Sequence, residues 1–383
     1  MSISDAILDI LRDLISIPSH YPPGDTKAIC AYTADRLAAA GYRTDTVSNT
    51  APVDNVIARM GSGSPSIVFN AHVDTVAVSD RTLWDSDPFA ASVRDGKLYG
   101  LGAGNCKASM AVQIWLAEEI ARRGGPKAGE VVFTFVGDEE RLGPDGLAYL
   151  RQTGLVTPDV LICGAQTGLQ IITKERGVMW VELTTTGTSA HAGEPQHGDN
   201  AIDRMVRLVG ALDRNLRPML NARTDGLLQS TMSVGIIAGG TNTNAVPSHC
   251  RLEIDRRLLP SETVDGAVEE IAAAVAGAGE PEGSWGVKLL TGTKGFSSSD
   301  DAPAIAAFRG SIEKITGAPV REVVAVGASD ARHFVDDGIV LLSFGPGDAH
   351  DGHKENESVP VAEFEPAALI QLSVIEELLG LKN

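Results

Sequence analysis

His72 and Asp74 stand at the end of a short apolar run, Ile67-Val68-Phe69, and residues i and i+2 of a strand share a face. A histidine at the carboxyl edge of a strand, with a carboxylate beside it, suits a metal ligand and the group that orients it. The same two residues also fit a loop histidine with an incidental acid. Asp138-Glu139-Glu140 follow a second apolar run, Val131–Val136. Adjacent side chains diverge there, so one carboxylate can hold a metal while its neighbour acts as general base on water. Alone, such a triplet is equally a solvated loop. The other histidines of interest are His191, in Ser189-Ala190-His191, and the late pair His350 and His353, with Glu357 beyond them. Gly100, Gly102 and Gly104 lack the GxGxxG spacing and lie far from the first strand, so they carry no dinucleotide signal.

The elements that position these residues follow from periodicity. Helices are expected over Asp5–Ile17, stopped by Pro18, and over Thr26–Ala40, stopped by Gly41. Strands are expected at Asn55–Arg59, Ser66–Ala71, Val131–Val136 and Val160–Cys163, with a helix over Lys107–Arg122. This alternation implies an α/β fold: a catalytic domain with a largely parallel sheet and helices on both faces. After Gly177 the texture changes. Met179–Thr186, Gln229–Ile237 and Ser248–Arg256 read as strands, Asn200–Leu216 and Val264–Ala276 as helices. The expected domains are therefore residues 1–177 and 292–383 for the catalytic part, with an inserted α+β domain at 178–291. The second catalytic segment carries a helix at Ala302–Thr316, strands at Val323–Val326 and Ile339–Phe344, and a last helix at Glu365–Leu379.

The bulk numbers narrow the function. With 383 residues and a formal net charge of -18, the chain has no basic stripe for a nucleic acid. A carboxylate substrate needs locally placed Arg or Asn to overcome that field. The apolar N-terminal segment has helical spacing and no basic region or cleavage pattern, so it reads as a folded helix rather than a signal peptide. No apolar run is long enough to span a membrane. Cys30, Cys106, Cys163 and Cys250 are far apart, with no CxxC, and a reducing cytoplasm is the expectation.

Taken in order, His72-x-Asp74, Trp84…Pro88-Phe89, Asp95-Gly96-Lys97-Leu98-Tyr99-Gly100, Asp138-Glu139-Glu140, Ser189-Ala190-His191, Asn244-x-x-Pro247, Asp255-x-Arg257, Ser329-Asp330-Ala331-Arg332, Phe344-Gly345-Pro346-Gly347 and His353…Glu357 span the chain. Together they resemble the acetylornithine deacetylase, succinyl-diaminopimelate desuccinylase and glutamate carboxypeptidase family of zinc metallopeptidases. The resemblance implies that His72 binds one zinc, oriented by Asp74, and that Glu140 and His353 bind another. It implies that Glu139 deprotonates the attacking water and that His191, in an inserted lid, stabilises the oxyanion. Asn244, Arg257 and Arg332 would hold the substrate's carboxylate or acyl group. A homodimer formed through the inserted domain is implied too, as is Mn or Co in place of Zn.

Two positions depart from the family pattern. The metal-bridging aspartate falls at Asn105, and the glutamate that completes the site of His72 falls at Ala165. A catalytic zinc normally has three protein ligands plus water, so one or two ions are expected, with Asn105 a weak ligand. Cys106, Cys163 and His350 are candidate replacements, although small buried thiols are more often core residues. The leading expectation is a metal-dependent hydrolase of an N-acyl or peptide bond in a small carboxylate. The alternatives are a catalytically silent relative that binds a small acidic ligand, or an active deacylase inactivated by Asn105. A serine hydrolase built on Gly327-Ala328-Ser329-Asp330-Ala331 is a poorer fit, since alanine replaces the final glycine of a nucleophile elbow.

Overall fold

The computed structural model describes residues 2–325 and 327–382. They form two compact units. One runs up to Thr173 and resumes at Ser297; the other is Lys174–Phe296.

Strand labels run in chain order through both units. The first unit is built on a seven-stranded sheet of β1 (Arg43–Val47), β2 (Asn55–Gly61), β3 (Ser66–His72), β4 (Glu130–Val136), β5 (Val160–Gly164), β6 (Ile171–Ile172) and the late strand β11 (Val340–Phe344). Its order is β6-β11-β5-β3-β4-β2-β1. The middle four strands are parallel, and antiparallel partners flank them on both sides. The sheet is therefore mixed, which corrects the expected largely parallel one. The physical reason is loop length: 48–54 is too short for a crossover, so β1 and β2 pair antiparallel.

Helices α1 (Ile3–Ser16), α2 (Lys27–Ala39), α3 (Lys107–Arg122), α8 (Pro303–Thr316) and α9 (Phe364–Leu379) share one core with Phe69, Phe133 and Phe344 of the sheet. α3 packs against α1, α9 and β3 and is buried almost all round, as a central helix must be. The short α4 (Leu147–Gln152) lies against the 3-10 turn Asp330–Phe334, which in turn touches β5 and β11. The strand expected at Val323–Val326 is absent over Val323–Ala325, and Val326 lies outside the described residues.

The second unit is a four-stranded antiparallel sheet of β7 (Gly177–Thr186), β8 (Thr231–Gly239), β9 (His249–Leu258) and β10 (Trp285–Thr293), in the order β8-β9-β7-β10. β9 alternates buried and less buried residues along its length, the pattern of a sheet covered on one face. Helices α5 (Ala201–Asn215), α6 (Arg217–Ala222) and α7 (Val264–Ala276) close a core around Met205, Leu208, Leu252, Ile254 and Ile271. Edge strand β8 leaves Val234, Ile236 and Ile237 exposed. No helix among the described residues is long and apolar enough to cross a membrane.

Candidate metal centre

The parallel strands β3, β4, β5 and β11 end on one edge of the sheet, where ligands of open α/β sheets bind. β3 ends at His72. β4 leads into Asp138-Glu139-Glu140, β5 into Ala165-Gln166, and β11 into the loop that carries His353. Asn105 arrives from the glycine-rich turn that opens α3. Residues from five distant stretches therefore meet because the topology directs their ends to one place.

Asp74 organises the first part of this cluster. Its carboxylate accepts the backbone N–H of Glu140 at 3.1 Å and that of Glu139 at 3.4 Å. His72 Nδ1 lies 2.9 Å from the Asp74 carbonyl and 3.5 Å from its carboxylate. Donation from Nδ1 leaves a lone pair on Nε2, which faces Asn105 Oδ1 at 3.3 Å. Two lone-pair atoms face each other comfortably only with positive charge between them, as a proton or a metal ion. His72 sits well above the ordinary imidazole range: burial opposes its protonation, and Cys106, Glu139 and Asp74 together outweigh it.

The other end of the Asn105 amide behaves differently. Its Nδ2 donates to Glu140 Oε1 at 2.9 Å and lies 2.8 Å from His353 Nε2, while His353 Nε2 is 3.0 Å from the same Glu140 oxygen. An amide nitrogen has no lone pair to give a metal. Available donors are His72 Nε2, Asn105 Oδ1, a Glu140 oxygen and His353 Nε2. His72 Nε2 lies at the Oδ1 end of the Asn105 amide, and Glu140 and His353 lie at its Nδ2 end. Among the described residues, His72, Glu139 and Glu140 converge closely enough to share an ion.

Glu139 lies between charges. Its carboxylate is 3.9 Å from His72 Nε2 and accepts from Arg332 Nη1 at 3.3 Å. Burial pushes it up to about 7, against the pull of His72 and Arg332. A carboxylate with that proton affinity is suited to take a proton from water near neutrality. Arg332 is itself buried, with Asp330 3.5 Å away, and Asp330 accepts from Asn70 at 3.1 Å.

The structure thus brings together His72, Asp74, Asn105, Glu139, Glu140, His353 and Arg332. His191, Asn244 and Arg257 belong to the second unit. There His191 bridges to Ala245, and the Ala192 N–H donates to the Asn244 carbonyl at 3.0 Å. His191 Nδ1 accepts the Gly193 N–H at 3.0 Å, which leaves the proton on Nε2. Arg257 is paired with Asp255 at 2.8 Å. Cys106 is buried, its thiol pushed up by burial and directed at the Gly164 carbonyl at 3.4 Å. Cys163 is buried in β5, and His350 lies in an exposed 3-10 turn capped by Asp348. Ser329 Oγ accepts the Ala331 N–H and caps its own turn.

Sequence reasoning left Glu357 without a role. Its buried carboxylate accepts three backbone N–H groups, from Gly102 at 3.0 Å, Gly104 at 2.9 Å and Asn105 at 2.7 Å. It therefore fixes the loop that presents Asn105. The available signal was the glycine-rich run itself, whose successive N–H groups form a nest that needs an anion.

A family model described as peptidase family M20/M25/M40 matches residues 68–377. Succinyl-diaminopimelate desuccinylase of Bordetella petrii is 30% identical over 393 aligned residues, covering 99% of each chain. The enzyme of that name from Parvibaculum lavamentivorans is 29% identical over 384 residues, covering 96% of this chain and 94% of the other. Among solved structures, an M20 family metallo-carboxypeptidase from Sulfolobus solfataricus superposes with a TM-score of 0.80 at 17% identity, covering 97% of this chain and 99% of the other. A dinuclear metal-binding peptidase of the M20 family from Bacillus subtilis gives 0.74 at 15% identity, covering 98% of both.

Proposed function

This chain belongs to peptidase family M20/M25/M40, a family of metal-dependent hydrolases, and we propose that it cleaves the amide bond of a small N-acylated carboxylate with an altered, single-ion centre. The observation that carries this reading is Glu139: a buried carboxylate pushed up to about 7, held by Arg332, beside the donors His72, Asn105 and Glu140. Such a carboxylate, beside metal-type donors and within reach of Arg332, is placed to act as a base on water.

His72, Glu140 and Asn105 Oδ1 would hold the ion, with His353 bonded to Glu140 on the far side of the Asn105 amide. When bound, it would polarise the scissile carbonyl and acidify a water. Glu139 takes the proton of the attacking water and returns it to the departing amine. Asp74 keeps His72 in the tautomer that frees Nε2. Arg332 acts through Glu139, since its guanidinium is buried against that carboxylate. From the second unit, His191 Nε2–H is the donor we assign to the oxyanion, with Asn244 and Arg257 assigned to the substrate's acyl or carboxylate end. The relatives named for succinyl-diaminopimelate desuccinylation make an N-succinyl amino acid the first substrate to try. We also assign homodimer formation to the second unit, supported by the apolar residues exposed on edge strand β8.

The Asn105 hydrogen bonds to Glu140 and His353 favour a second reading, in which the pocket binds an acidic ligand without turnover. The deciding experiment measures metal content by elemental analysis and succinate release from N-succinyl-L,L-diaminopimelate and N-succinyl amino acids. One ion per chain with turnover supports the hydrolase. Ligand binding without turnover, in metal-loaded protein, supports the second reading. Protein that takes up no ion at all overturns the mechanism.

A further inference from the structure

Gln166 lies two residues after β5, next to Ala165, and has no part in the mechanism above. Its Nε2 is buried and has no hydrogen-bond partner among the described residues. A methyl group placed on Gly104 would lie 2.0 Å from Gln166 Nε2, and one on Gly352 would lie 2.7 Å from Gln166 Oε1. Gly104 immediately precedes Asn105, and Gly352 immediately precedes His353. Neither glycine is among those with positive φ; Gly352 has φ -79°. A left-handed backbone is therefore not what these positions require; the missing side chain is. The Gln166 carboxamide fills the room they leave.

We propose that Gln166 is a positioning residue of the centre: its carboxamide is a wedge between the backbones of Gly104 and Gly352 that sets how closely Asn105 and His353 approach. The wedge acts by bulk, because its buried N–H makes no bond that would hold it by polarity. The Asn105 Nδ2 to His353 Nε2 separation of 2.8 Å is the spacing it controls. A glycine precedes each of the two side chains, so a shift of either backbone moves that side chain directly. The relevance of this spacing to turnover rests on the hydrolase reading, whereas the spacing itself does not.

The test is made first on metal-free full-length protein, by following the imidazole resonances of His353 in 1H–15N NMR, assigned through His353→Gln. Gln166→Ala should move the His353 signals, whereas Gln166→Met, which keeps the bulk, should leave them in place. Gly104→Ala alone should move them, and Gly104→Ala combined with Gln166→Ala should return them toward the starting position. Zinc titrations of the same proteins should show affinity weakened about 10-fold or more in the two single alanine variants. Gln166→Met and the double variant should bind zinc nearly as the unaltered protein does. Thermal melts identify any variant that does not fold, and Gln166→Met keeps the comparison informative if Gln166→Ala fails. Unmoved His353 signals in Gln166→Ala would overturn the wedge. So would a Gln166→Met spectrum matching that of Gln166→Ala, or a Gly104→Ala effect that persists without Gln166. If the unaltered protein binds no zinc, the hydrolase reading falls while the NMR comparison still decides the wedge.

Discussion

The side-chain nitrogen of Asn105 sits 2.8 Å from His353 Nε2, on the side of the amide away from His72. It ties His353 and Glu140 together with hydrogen bonds where a carboxylate would offer a second ion a lone pair. Asn105→Asp should therefore raise the metal content from one ion per chain toward two and increase turnover. Without metal it should be less stable than the natural protein, since the new carboxylate faces Glu140 at the present 2.9 Å contact. Elemental analysis, with melting curves with and without zinc, checks both parts; unchanged metal content would remove Asn105 as the cause of the altered centre.

Glu139→Gln keeps the size of the side chain and removes the base. Turnover should fall by about 10²- to 10⁴-fold, with metal content retained. A variant that keeps most of its rate would take the proton-transfer role away from Glu139.

Glu357→Ala strips the acceptor from three backbone N–H groups at once. The expected loss is about 3 kcal/mol or more of stability, read as a lower unfolding midpoint in denaturant. Glu357→Gln should lose less, because one carbonyl oxygen remains. Equal stability in all three proteins would mean that the glycine-rich loop is held by other contacts.

His333, next to Arg332 and 3.8 Å from Asp330, gives a further pH dependence. Burial lowers it from 6.5 to about 4, so the folded protein keeps it neutral where the unfolded chain is protonated. The unfolded state then binds the extra proton between those values, and stability falls as pH drops from 6.5 toward 4, by up to about 3 kcal/mol. Above pH 6.5 the group contributes no slope. Denaturant melts of His333→Gln should show a shallower loss over this window; an identical slope would place the acid sensitivity elsewhere.

Ile236→Asp places a charge on the exposed edge of β8. If two copies meet through this unit, sedimentation should show a dimer for the natural protein and a monomer for the variant. Turnover would also fall if the partner contributes to the site. A natural protein that sediments as a monomer rules out the assembly.

Local patterns made much of this fold legible. α3 and α7 match the helices expected from the sequence, because apolar spacing and terminal breakers act within a few residues. Strand direction was not legible, since it depends on which neighbour a strand meets, and β1 and β10 were missed at sheet edges where few apolar residues are needed. The chemistry showed a similar division. Metal-type residues such as His72 and Glu140 announce themselves by element. Gln166 and the glycines around it act through shape, which a linear sequence does not display.

Strand β11 lies between β5 and β6 in the sheet, although the whole of Lys174–Phe296 separates it from them in the chain. During synthesis the first 173 residues must wait, with the edge of β5 unpaired, until β11 has emerged from the ribosome. A release at Phe296 would therefore leave an open strand edge prone to aggregation.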